Sequence, residues 1–218
     1  MRVLVACEES QVVCKAFRER GHEAYSCDLQ ECSGGYPEWH IQGDCIPLLN
    51  GRCRFETMDG AKHEIKERWD LLIFHPPCQF MSKAGARWMY PKAGVVDKER
   101  LKKANLAKRF FLLGLNADCE RICVENPVPL KIVGLPQPTQ KVQPYEHGHS
   151  FSKCTCFWLK NLPKLRPTKI VKEYKPYLPS NTSSFARGGG GSRGVAHDAK
   201  TAAKTFEGIA KAMAEQWG

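Results

Sequence analysis

No stretch of this 218-residue chain is apolar for the ~20 residues a membrane span needs. The run Val3 to Cys7 is short and is followed by Glu8-Glu9, so it reads as a strand and not as a signal peptide. No sequence repeats internally. No Cys-x-x-Cys pair occurs among the 11 cysteines, so the strongest spacing signal for zinc is missing. Their odd number, in a chain long enough to build a core, argues against a disulfide framework and for a reducing cytoplasm. Acidic residues are in deficit, 23 against 33 Lys and Arg, for a net charge of +10. That balance suits a polyanion, although a merely soluble basic protein has the same arithmetic.

The first half alternates strand-like and helix-like segments. Val3 to Cys7 is a strand, and Ser10 can cap a helix running to Arg20. Glu23 to Cys27 is a second strand, ending at Asp28, and His40-Ile41-Gln42 is a short third one before Gly43-Asp44. Trp69 to Phe74 is a buried strand. A helix from about Asp97 to Asn116 puts Leu101, Ala104, Ala107, Phe111 and Leu115 on one face. Arg121 to Val124 is the next strand. Cys154 to Leu159 follows a proline-rich stretch as another. The glycine run from Arg187 to Arg193 reads as a mobile loop, and Asp198 can cap a last helix carrying Ala202, Phe206, Ile209, Met213 and Trp217. The βαβ alternation predicts an α/β fold with a mostly parallel sheet.

The chemistry concentrates at two strand exits. His75-Pro76-Pro77-Cys78-Gln79-Phe80-Met81-Ser82 follows the strand ending at Phe74. The paired prolines fix the turn and hold Cys78, a strong nucleophile, on the sheet rim. Glu125-Asn126-Pro127 closes the following strand. Adjacent strand ends of an open α/β sheet line one crevice, so Cys78 and Glu125 form a nucleophile and acid pair. Alternatively, Cys78 is a small buried residue after a turn, and Glu125 is a capping carboxylate.

Pro76-Pro77-Cys78-Gln79 with Ser82, then Glu125-Asn126, resembles the catalytic motifs of the cytosine-C5 DNA methyltransferases, most of all their small phage-borne members. The resemblance implies a Rossmann-like class I methyltransferase sheet with helices on both faces and a reduced target-recognition region. It implies S-adenosylmethionine as methyl donor and DNA as partner, with no membrane. Cys78 would add to carbon 6 of cytosine, and Glu125 would act at ring nitrogen 3. The donor would lie against Cys7, Glu8, Ser10 and Gln11 of the first turn, against Asp28 and Leu29, against Asp44 and Cys45, and against Pro76. Asp28 would take the ribose hydroxyls and Asp44 the adenine amino group, unless both are ordinary turn residues.

The chain departs from the family in three places. Ala6-Cys7-Glu8-Glu9-Ser10-Gln11 replaces a glycine-rich first turn, which leaves room for an altered donor. Lys153 and Thr155, alternate residues of one strand face, stand where two arginines are usual and complete the catalytic set. The same stretch raises a zinc alternative through His147, His149, Cys154 and Cys156. Finally, little chain is left for a recognition domain. Residues 1–159 form the expected catalytic core, 160–197 a short basic region, and 198–218 a helix packed on the core. DNA would meet Gln79, Ser82, Lys83, Arg87, Arg187 and Arg193, with the loop around Trp88 and Met89 either closing on a base or tucked into the core. Two other functions remain open: modification of a free pyrimidine nucleotide, and a silent nucleic-acid-binding relative. An amino-group methyltransferase fits less well, since Cys78 takes the place of its aromatic residue.

Overall fold

The computed structural model describes residues 1–178 and 199–218. Eleven strands occur among them: β1 (Arg2–Ala6), β2 (Glu23–Asp28), β3 (His40–Gln42), β4 (Cys53–Glu56), β5 (Lys62–Ile65), β6 (Leu71–Phe74), β7 (Arg121–Pro127), β8 (Gln140–Val142), β9 (Phe151–Ser152), β10 (Thr155–Lys160) and β11 (Lys175–Pro176). The helices are α1 (Val12–Arg18), α2 (Ala86–Met89), α3 (Lys98–Leu115), α4 (Ala199–Ala203) and α5 (Glu207–Trp217). Among these residues no helix is long and apolar enough to cross a membrane.

The main sheet has the order β3-β2-β1-β6-β7-β10-β8. Its first five strands are parallel, and β10 runs antiparallel to both β7 and β8. Its central strands are unbroken apolar runs because both faces are covered. Val3, Val5, Leu71, Ile73 and Phe157 pack with α1 and α5 on one face. Leu4, Leu72, Phe74, Ile122 and Trp158 pack under α3 on the other. The predicted α/β class and mostly parallel sheet are therefore present. Asp97, where the expected helix begins, caps α3 by accepting from Arg100 N–H at 2.7 Å. A Cβ on Gly114 would run into the Phe74 ring, so glycine is what lets the end of α3 lie close to β6.

The chain moves outward from β1 to β2 and β3, then returns to place β6 on the other side of β1. In open α/β sheets such a reversal is where ligands bind, beyond the carboxyl ends of the strands, here those of β1 and β6.

Several local expectations are corrected. Ser10 does not cap α1. The cap residue is Gln11, in left-handed backbone (φ 58°) without a side-chain cap bond. Glu8 does the work instead: its two carboxylate oxygens accept from Val13 N–H at 2.6 Å and Cys14 N–H at 3.1 Å. Its longer side chain reaches back from the end of β1, and the anion suits the helix N-terminus. The last helix is broken into α4 and α5 by extended backbone at Phe206; the Asp198 cap lies outside the described residues. The loop around Trp88 contains the short helix α2. The hairpin of β4 and β5 has no counterpart in the sequence reading, although Asp59-Gly60 between two alternating segments is a hairpin signal. Lys153 lies between β9 and β10 and shares no strand face with Thr155.

Replacing Glu8 with Ala should lower the unfolding free energy by about 1–2 kcal/mol, as for other lost helix caps. Urea unfolding of the two proteins measures it, and equal midpoints would show that another group caps α1.

Candidate active site

The segment after β6 is held from several sides. His75 N–H donates to the Ala6 carbonyl at 2.9 Å, extending the β1–β6 ladder by one residue. Pro76 accepts from the Asn126 side-chain amide at 2.8 Å. The Cys78 carbonyl accepts from Met81 N–H at 3.0 Å and Ser82 N–H at 2.9 Å, so the chain turns back at the thiol. Arg100 of α3 donates to the Gln79 carbonyl at 2.7 Å and lies over the Phe80 ring. Cys78 is thereby fixed in the half-buried state.

Glu125 and Asn126 lie within β7, because β10 pairs with it as far as Pro127. Glu125 Oε2 meets His75 Nδ1 at 3.1 Å, with both side chains nearly out of water. Burial pulls the His75 pKa down, but the Glu125 and Glu8 carboxylates reverse this and hold it above the ordinary value. Burial pushes Glu125 up, yet the charges of His75 and Lys153 and the Thr205 hydroxyl, 3.4 Å from Oε2, hold it below the usual range. Both shifts favour the charged form of each partner.

Lys153 completes the cluster. Its Nζ donates to the Lys204 carbonyl at 3.2 Å and sits over the Phe206 ring. Burial lowers its pKa, and the negative forms of Glu125 and Cys78 counter that. Burial also raises the Cys78 pKa, against which Lys153 acts. The structure therefore brings Cys78, Glu125 and Lys153 together. Thr155 is not part of this set: it is buried, and its hydroxyl donates to the Lys153 carbonyl at 3.3 Å. It supports the turn that presents Lys153.

The expected donor residues divide into two groups. Glu8 is committed to α1. Gln11 is committed to Tyr36, accepting from its N–H at 3.1 Å and donating to its carbonyl at 2.8 Å. Ser10 is half-buried. Cys7 has left-handed backbone (φ 60°), and its Sγ lies 3.8 Å from Cys45 Sγ. At the ends of β2 and β3, Gly43 N–H joins the Asp28 carbonyl at 2.8 Å. The Asp28 and Asp44 carboxylates each accept from a backbone N–H two residues on, at 2.9 Å, as turn residues do. Leu29 is 75% exposed and Ile46 45%, an apolar pair beside these strand ends.

Of the residues expected to face DNA, Gln79, Lys83 and Arg87 are exposed. Ser82 is not: it is 3% exposed and bridges to Pro129, because the turn at Cys78 folds it inward. Trp88 is exposed, with Arg87 against its ring, while Met89 is fully buried. Arg187, Arg193 and their glycine loop lie outside the described residues. The zinc alternative finds no support: among the described residues no three His, Cys, Asp or Glu side chains converge. His147 instead bonds Thr168, and His149 accepts from Gly208 N–H.

Sequence reasoning assigned no role to His75, Asn126, Arg100 or Thr205. His75 was visible beside the prolines. Thr205 lies 80 residues from Glu125 and gave no signal.

No family model matches the chain, and no curated protein does. Solved structures similar to it include three methyltransferases. A protein described as a DNA modification methyltransferase encoded within an E. coli prophage is 14% identical, with TM-score 0.45, over 78% of this chain and 52% of its own. The Entamoeba histolytica methyltransferase EhMeth is 15% identical, with TM-score 0.43, over 78% and 57%. A variant of Spodoptera frugiperda DNMT2 is 15% identical, with TM-score 0.36, over 82% and 55%. The chain thus spans little more than half the length of each. Likeness at this level leaves the function to be argued from the site itself.

Replacing Lys153 with Met removes the cation that favours the Cys78 thiolate. Alkylation of Cys78 by iodoacetamide, followed by peptide mass spectrometry, should then need a higher pH than in the unchanged protein. An unshifted profile would separate Lys153 from the thiol.

Proposed function

We propose that this protein is a minimal DNA cytosine-C5 methyltransferase built on a Rossmann-like class I sheet. One observation carries the reading: a thiol held by the turn after β6, a buried carboxylate and a lysine lie within electrostatic reach of one another at the carboxyl ends of neighbouring strands. Cytosine is too electron-poor at carbon 5 to take a methyl group directly. Addition of the Cys78 sulfur to carbon 6 makes carbon 5 a nucleophile, and a proton at ring nitrogen 3 stabilises the adduct. Once carbon 5 carries the methyl group, its proton passes to solvent and the carbon-6–sulfur bond breaks, releasing Cys78 as thiolate. Lys153 supports the thiolate before attack and presents a cation near the pyrimidine carbonyl afterwards.

The residues at the ends of β2 and β3 fit S-adenosylmethionine. Asp28 would bind the ribose and Asp44 the adenine amino group, while Leu29 and Ile46 supply apolar surface suited to the purine. The first turn would contribute through the backbone around Cys7, since Glu8 and Gln11 are already engaged. When bound, this group supplies the electrophilic methyl. The rest of the site orients the base and excludes water.

We assign residues 1–159 to the catalytic core, 160–197 to a reduced recognition region and 198–218 to a C-terminal element that also closes the site through Thr205. The exposed Gln79, Lys83 and Arg87, with Arg187 and Arg193, would contact DNA mainly through phosphates. All 11 cysteines are free, which suits a reducing cytoplasm.

Nucleosides from DNA incubated with protein and S-adenosylmethionine should contain 5-methylcytosine by mass spectrometry. Cys78→Ala should abolish it, and DNA carrying 5-fluorocytosine should trap an adduct on Cys78. A methyl group on another base, an adduct on another cysteine or an active Cys78→Ala protein would refute the reading.

Asp28→Ala should weaken S-adenosylmethionine binding by about 1.5–3 kcal/mol, the range for hydrogen bonds to charged groups. Calorimetry reads this directly, and unchanged affinity would move the donor elsewhere.

A further inference from the structure

Glu125 faces a difficulty as an acid. It is ionised in the free protein, and an ionised carboxylate has no proton to give. Its side chain is also 11% exposed, so solvent is poorly placed to bring one. His75 Nδ1 lies 3.1 Å from Oε2, closer than the Thr205 hydroxyl at 3.4 Å. We propose that His75 is a positioning residue that holds Glu125 in place and supplies the proton that Glu125 delivers to the base. The proposal rests on the methyl-transfer reading above and deepens it.

Both partners are fixed by backbone. His75 is anchored to β1 through its N–H and followed by two prolines, while Glu125 sits opposite Phe157 in the β7–β10 ladder. His75 Nε2 is buried with no hydrogen-bond partner among the described residues. A buried polar atom left unpaired is costly and is retained where a site uses it. The groups facing the pair come from every neighbouring element. Glu8 after β1, Glu125 in β7 and Lys153 before β10 act on His75. Lys153 and Thr205 join His75 in acting on Glu125, which in turn acts on Cys78 and Cys123. Such a pair titrates as a unit.

The proton balance closes. The His75 Nδ1–H bond breaks as an O–H bond forms on Glu125, leaving neutral imidazole and neutral carboxyl. That O–H bond then breaks as ring nitrogen 3 gains its hydrogen. When the adduct eliminates, the nitrogen returns the proton and the pair is recharged. A base filling the crevice favours the first step, because removing water penalises the charge-separated pair more than the neutral one.

The test uses His75→Gln, which keeps size and hydrogen bonding but cannot carry the charge, with His75→Asn as the substitute should the first variant fail to fold. The first readout needs no substrate: carbon-13 NMR of the full protein labelled at the glutamate carboxyl. The Glu125 signal should titrate below the ordinary range in the unchanged protein and about one unit or more higher in the variant. The second readout is single-turnover methyl transfer against pH. The unchanged protein should lose rate as pH rises through the His75 pKa. The variant should be slower by on the order of 10²-fold or more and lack that limb. Loss of the rising limb that belongs to Cys78 is not expected. An unmoved Glu125 titration, or an unmoved falling limb, would overturn the role of His75. Absence of transfer by the unchanged protein would overturn the function instead, and the NMR titration would then decide the pair alone.

Discussion

The parallel pairing of β6 with β7 is the constraint on which the site depends. Leu71 to Phe74 run in register with Arg121 to Val124. Two segments separated by some 50 residues therefore leave the sheet side by side, His75-Pro76-Pro77-Cys78 from one strand and Glu125-Asn126 from the other. The Asn126 amide bonding the Pro76 carbonyl ties the two exits across the crevice. Buried apolar strands on both faces make a one-residue slip prohibitive, since it would turn every side chain to the wrong layer. The core thus fixes the two strand exits, and the turn held by Met81, Ser82 and Arg100 places the thiol beyond them.

Within that frame, burial and charge oppose each other at every titratable group. Desolvation disfavours the charged forms of His75, Glu125, Lys153 and Cys78 alike. Mutual attraction reverses it for His75 and Glu125, shifting both toward their charged forms. It does not reverse it for Cys78, whose thiol stays protonated at rest. The cluster extends to Glu8, which serves two elements at once: it caps α1 and adds its field to His75. A change at the helix start would therefore reach His75.

Much of the architecture was legible because it follows from local patterns. Apolar runs gave β1, β6 and the first part of β7, and the mixed run Glu23 to Cys27 gave β2. The spacing of Leu101, Ala104 and Phe111 after Asp97 gave α3. Local rules failed where a distant partner competed. Ser10 is a good cap by type, but Glu8 reaches the same amides from a buried position. The single helix expected at the carboxyl end is interrupted at Lys204 to Phe206, where that segment meets Lys153 and Glu125 instead. Ser82 belongs to the motif that suggested DNA contact, yet the turn at Cys78 carries it into the core.

By itself, the sequence determined the class of fold and the identity of the two chemical groups at its strand ends. Prolines, apolar periodicity and a basic excess act through the chain near them, and so can be read along it. Only the tertiary structure decided which groups share a field. The coupling of His75 to Glu125, the arrival of Lys153 from a turn before β10 and the closure by Thr205 all depend on distances across the sheet. Electrostatic coupling follows separation in space and dielectric, and neither is written in residue order.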